Sequence, residues 1–226
     1  MECTRSTTGQ ALRTGRLAEG SRYQFTTPHG IMSESVKFSA ISFYAFRLAD
    51  ELRGFDWTSV EGLASDLLKV WISRSAVWIC GNGGSAANAV HWANDLLYPA
   101  AKRASYGMRI QALTANPSVL TCLGNDLGYE EIFAYQLRTF AAPGDMLIVL
   151  SGSGNSANIL KALNAARDIG LKSYAVVGFD GGAAKSQADR PIHFKVDDMQ
   201  LAEDLQMVIC HALVQALLDA PARPID

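Results

Sequence analysis

The chain has no surplus of positive charge: 20 Lys and Arg stand against 22 Asp and Glu, a net charge of −2 over 226 residues. Without a basic excess it lacks the electrostatic footprint of a nucleic-acid or membrane-surface binder. No apolar run approaches the ~20 residues of a membrane-spanning helix. Four cysteines, Cys3, Cys80, Cys122 and Cys210, form no C-x-x-C pair. A reducing, cytoplasmic setting is the expectation, with Cys80 and Cys210 acting as small core residues in apolar segments. No internal repeat, linker or second domain is evident.

Hydrophobic residues make up 49% and charged residues 19%, the balance of a globular protein. Residues 1–32 differ from the rest: they are rich in Ser, Thr, Gly and Arg and poor in apolar periodicity. They have no apolar h-region and read as a disordered leader ahead of Met32, which would itself serve as a start. Residues 33–226 read as one α/β domain.

The most informative run is Cys80-Gly-Asn-Gly-Gly-Ser85, which continues through His91 to Asp95. It follows an apolar strand pattern, Ala76 to Cys80, and opens an amphipathic helix. Gly81, Gly83 and Gly84 let the backbone approach a ligand closely. Ser85 falls at the helix N-terminus, where free N–H groups attract an anion. His91 and Asp95 are four residues apart and share a face. The run is neither a G-x-G-x-x-G fingerprint nor a Gly-Lys-Ser/Thr P-loop. A second loop, Ser151-Gly-Ser-Gly-Asn-Ser156, again joins an apolar strand to a helix N-terminus. Two such loops suit an enzyme acting on a small phosphorylated molecule.

Helical spacing predicts N-terminal helices over 36–53 and 57–73. Strands near 76–80, 109–113, 145–150, 173–178 and 191–196 then alternate with helices near 85–97, 129–140, 156–169 and 199–218. Shorter helical pieces fall near 118–123 and 183–188. Alternation of this kind predicts a parallel sheet of about five strands, covered on both faces. Both loops then lie at carboxyl ends of strands, where such sheets bind ligands.

These residues resemble the sugar isomerase (SIS) domain family, of the phosphoheptose isomerase type. The likeness covers about residues 36–220. It is carried by CGNGGSAANAVHWANDL (80–96), LGNDLGYEEIF (123–133), LSGSGNSANILKAL (150–163), GFDGG (178–182) and AEDLQMVICHALVQ (202–215). The resemblance implies a three-layer SIS domain that isomerises sedoheptulose 7-phosphate to glycero-manno-heptose 7-phosphate through an enediolate. It puts Asn82, Gly83, Gly84, Ser85, Asp126, Ser151, Gly152, Ser153 and Ser156 around the substrate, with the serines on the phosphate. The family carries Thr where this chain has Gly152, so one hydroxyl is lost.

By the same carry-over Asp95 is the base, one methylene shorter than the family's Glu, and His211 is the acid. Zinc would be held by His91, Asp95, Glu203 and His211, with Glu203 in place of the family's Gln. Glu203 and His211 are eight residues apart, roughly 12 Å along an ideal helix. They reach one ion only if the helix starts irregularly or a neighbouring chain contributes. The family further implies a homotetramer with sites between subunits and a place in bacterial surface-polysaccharide heptose synthesis. Relatives that bind without catalysis form the rival class, and isomerisation of a different sugar phosphate is the third reading. His29 and His193 carry no functional expectation.

Overall fold

Five apolar segments form one sheet because each can be buried while its backbone pairs with neighbours. In the computed structural model, which describes residues 40–102 and 104–220, they are β1 (Ala76–Gly81), β2 (Arg109–Ala112), β3 (Met146–Ser151), β4 (Lys172–Val177) and β5 (Arg190–His193). All pairings are parallel, in the order β2-β1-β3-β4-β5. Every residue of β1 and β3 is buried, as strands covered on both faces require. Pro191, which cannot donate to a ladder, sits on the edge strand β5.

The chain divides into two units, Met1–Phe46 and Arg47–Asp226. The first contributes, within the described residues, only the opening turns of α1 (Ala40–Gly54). The second holds the rest: α2 (Thr58–Ser73), α3 (Gly84–Leu97), α4 (Pro117–Asp126), α5 (Ala134–Phe140), α6 (Ala157–Ile169), α7 (Gly182–Gln187) and α8 (Met199–Leu218). The sequence reading of a leader over 1–32, and the start of the first helix at Val36, lie outside the described residues.

The helices of the second unit form two layers. α3 packs on α8, and α8 on α2; α6 packs on α5 and α7. Strand side chains alternate between these layers. Trp78, Cys80, Leu147, Val149, Ala175 and Val177 join one core cluster with Phe133, Leu137, Ile159 and Leu163. Trp71 and Trp92 are almost wholly buried elsewhere. The Trp92 indole donates to the Gln206 carbonyl at 3.2 Å, tying α3 to α8. α8 is long and apolar enough to cross a bilayer by length and composition, yet it is half buried within the domain and packs as a core helix.

β5 ends three residues short of the expected 196, and α4 runs longer than the expected 118–123; two further differences have a visible cause. Asp145 precedes β3 rather than opening it. Its carboxylate accepts from the Ala76 N–H at 2.7 Å, the Trp78 indole at 3.0 Å and the Ala142 N–H at 3.0 Å, closing the mouth of β1. The helix expected over 129–140 is broken into a 3₁₀ turn, Tyr129–Glu131, and α5. Ile132 and Phe133 are buried at the break. Gln136, itself buried, donates to the Ile132 carbonyl that the break frees.

Candidate active site

The sheet reverses its winding between β1 and β3: the chain leaves β1 for β2 on one side and β3 for β4 on the other. Crevices at such a reversal are where open α/β sheets bind ligands. The loop after β1 and the loop after β3 are neighbours there, since Gly81 is in register with Leu150. Gly81 has to be glycine: a Cβ would meet the Ser85 carbonyl oxygen at 2.5 Å and the Leu150 carbonyl oxygen at 2.9 Å. Gly83, with φ of 57°, turns the chain into α3.

A pair of amides locks the two loops together. Asn82 donates to Asn158 Oδ1 at 2.9 Å, and Asn158 returns a bond to Asn82 Oδ1 at 2.8 Å. The Tyr129 hydroxyl also donates to Asn82 Oδ1, at 3.0 Å. Asn158 is buried on α6 and was not singled out in the sequence, where it is an ordinary helix residue. Asn82, expected at the substrate, therefore spends its amide on the loop clamp.

The serines divide into engaged and unengaged hydroxyls. Ser85 is buried and accepts from Gln206 on α8 at 3.1 Å; Gln206 in turn accepts from Asn88. Ser151 accepts from the Gly154 N–H at 3.1 Å, and Ser153 from the Asn155 N–H at 3.3 Å. Ser156 caps α6 in extended geometry without a side-chain bond to the helix. Its hydroxyl makes no hydrogen bond among the described residues, which suits a hydroxyl kept for an anion at a helix N-terminus.

Gly152 faces a filled space. A Cβ there would overlap the Met199 sulfur, with Met199 Cε at 3.0 Å and the Phe179 ring at 3.7 Å. A Cβ on Gly84 would likewise overlap the carboxylate of Glu203, which lies over the first turn of α3. Asp126 is exposed at the end of α4, where it accepts from Asn125 and Cys122.

One face of α3 and one of α8 bring His91, Asp95 and His211 together. His91 Nε2 is 3.2 Å and His211 Nε2 3.7 Å from Asp95 Oδ2, and the two imidazole nitrogens are 3.3 Å apart. Asp95 Oδ1 accepts from Asn94. Glu203 is not in this group of three; it stands more than two turns earlier on a regular α8. Two imidazole nitrogens and a carboxylate oxygen this close together are a donor set that could hold a metal ion. Both imidazoles are largely exposed, with Asp95 beneath them.

A three-layer domain with paired anion loops at the winding reversal, and an ionisable cluster beside them, defines a class of phosphosugar-handling domains. A family model described as the SIS domain matches residues 44–178. A phosphoheptose isomerase of Helicobacter pylori (strain Shi470) is 36% identical over 153 residues, 67% of this chain and 78% of that protein. One from Trichlorobacter lovleyi is 35% identical over 178 residues, 76% of this chain and 90% of that protein. The solved structure of a phosphoheptose isomerase from Neisseria gonorrhoeae superposes with a TM-score of 0.71 at 28% identity, covering 79% of this chain and 95% of that one. The chain belongs to the SIS domain family and, within it, to the phosphoheptose isomerases.

Proposed function

We propose that the protein interconverts sedoheptulose 7-phosphate and D-glycero-D-manno-heptose 7-phosphate. The observation that carries this reading is the meeting of His91, Asp95 and His211, from two helices, in a chain of this family. The serine loop takes the phosphate through Ser151, Ser153 and Ser156 and the N-terminus of α6, with Ser85, Gly83 and Gly84 across the crevice. Asn82 shapes the crevice through its clamp, and Asp126 contacts the sugar.

The reaction moves a proton between adjacent carbons, so no atom is gained or lost. Asp95 removes the proton from the carbon beside the carbonyl and returns it to the neighbouring carbon. His211 passes a proton between the two oxygens. His91, Asp95 and His211 would hold a zinc ion; Glu203, over Gly84 and more than two turns away on a regular α8, would join them only from a neighbouring subunit. When bound, that ion supplies polarisation of the carbonyl and charge stabilisation for the enediolate. Asp95 Oδ2 faces the imidazoles while Oδ1 is turned to Asn94, so ligation and proton transfer draw on different oxygens.

The working form is a homotetramer in the cytoplasm, with reaction sites between subunits. Val90, Leu97 and Tyr98 support this: the first two are exposed on the same helix as His91 and Tyr98 just past its end, apolar surface that a second copy would cover. Supply of heptose for lipopolysaccharide or capsule follows from the product. The test is incubation of the purified protein with sedoheptulose 7-phosphate, with and without zinc, followed by NMR of the aldose. Product formation is expected. No turnover, with sugar phosphates still raising the melting temperature, would place the protein among the binding members of the family.

A further inference from the structure

A second cleft, of about 680 Å³, opens at the same edge of the sheet but one strand further on. It lies between the loops that follow β3, β4 and β5. Its volume falls in the range of small-molecule sites. It does not include His91, Asp95 or His211, and of the residues assigned to the substrate it shares only Ser153.

The wall of this cleft is built with care. Phe179 holds a left-handed backbone, φ 48°, that costs energy in any residue with a side chain. Two bonds fix it there: its N–H donates to the Val196 carbonyl at 2.8 Å, and its carbonyl meets His193 Nε2 at 3.0 Å. The result keeps the Phe179 ring on the cleft. Asn155 braces the opposite side, accepting from the Ala183 N–H at 3.0 Å and donating to the Ser153 carbonyl. Lys185 and Lys195 line the cleft, and neither ammonium enters an ion pair among the described residues. Asp180 and Asp197 line it too. Asp180 gives one oxygen to the Gly182 N–H and keeps the other.

We propose that this cleft is a second ligand site, which takes a phosphorylated sugar unit. The two free ammonium groups match a phosphate. The aspartates accept from sugar hydroxyls, and the Phe179 ring offers a flat apolar face. A free sugar phosphate and the sugar phosphate of a nucleotide share this chemistry. Ser153 and Asn155 line this cleft and belong to the serine loop, so the two sites share one loop.

The test is calorimetric titration of the full chain with ADP and, separately, with glucose 6-phosphate. It is run on the wild type, on Lys185→Ala/Lys195→Ala and on Ser156→Ala. Both lysines are exposed, so their removal leaves the core intact. Saturable binding of either ligand is expected, weakened about tenfold or more in the lysine pair and unchanged in Ser156→Ala. Binding of ADP identifies the nucleotide source, and binding of glucose 6-phosphate alone the free sugar phosphate. Absence of saturable binding by both ligands overturns the proposal. So does binding that ignores the lysines, or that falls away in Ser156→Ala, since the ligand then sits in the serine loop.

Discussion

Gly152 and Met199 share one small volume, so a side chain at 152 has to displace the end of Met199. The lost hydroxyl at Gly152 was visible in the sequence. The reason it is lost was not, because Met199 lies 47 positions away and reaches the loop only through the fold. Gly152→Thr should push Met199 off the loop and raise the KM for the sugar phosphate by about tenfold, at the ~1–3 kcal/mol typical of overpacking. Adding Met199→Ala should recover most of that loss, measured as KM in the single and double variants. A Gly152→Thr enzyme with unchanged KM would mean that Met199 swings away freely. Glu203 teaches the same lesson. Its type fits a metal ligand, but its carboxylate rests over Gly84, a contact that no spacing rule anticipates.

Elements were legible where burial and periodicity agree. Four of the five strands stand within one residue of the apolar runs that predict them, the fifth ends at His193 rather than 196, and both glycine-serine loops fall at carboxyl ends as expected. The helix over 129–140 was misjudged because Ile132 and Phe133 fit a helical face yet are buried across a break. The loop clamp was hidden for a different reason: Asn158 looks like any polar residue on a helix. Asn158→Ala should cost about 1–3 kcal/mol, because it strands the Asn82 amide. It should also raise KM more than it lowers kcat, as thermal unfolding and steady-state kinetics would show together.

A second link between elements depends on pH. Asp66 on α2 accepts from Lys172 at 2.8 Å, Lys69 at 2.9 Å and the Tyr174 hydroxyl at 2.8 Å. Burial opposes its charge, but these partners prevail and hold the carboxyl well below the usual range. A lowered folded-state value stabilises the protein above the unfolded value, near pH 4, and the contribution fades as pH falls below that. Asp66→Asn should therefore cost about 1–2 kcal/mol at pH 7, allowing for the exposed lysines. The gap to the wild type should narrow below pH 4 in thermal melts. A gap that stays constant from pH 7 to pH 3 would assign the effect to packing instead.

The fold joins a crevice for a phosphate to a cluster suited to proton transfer. Ser85 and His91 are six residues apart on α3, roughly 9 Å along its axis. Gln206 and His211 repeat the arrangement on α8, and the bond from Gln206 to Ser85 sets the two helices in register. A sugar phosphate of several carbons bridges such a distance. The cleft beyond β4 is likewise assembled by the fold: Asn155, Phe179, Lys185 and Lys195 come from separate stretches, so no single motif gathers them before the chain folds.

In the proposed reaction Asp95 and His211 carry the proton. The direct measurement is the isomerase rate on sedoheptulose 7-phosphate for the wild type, Asp95→Asn and His211→Ala, with melting temperatures taken on the same samples. Losses of about 10²-fold or more in kcat are expected for each variant, with melting temperatures close to the wild type, since both imidazoles are exposed and Asp95→Asn keeps its volume. Variants that fold and turn over at the wild-type rate would contradict this assignment and move the chemistry away from this cluster.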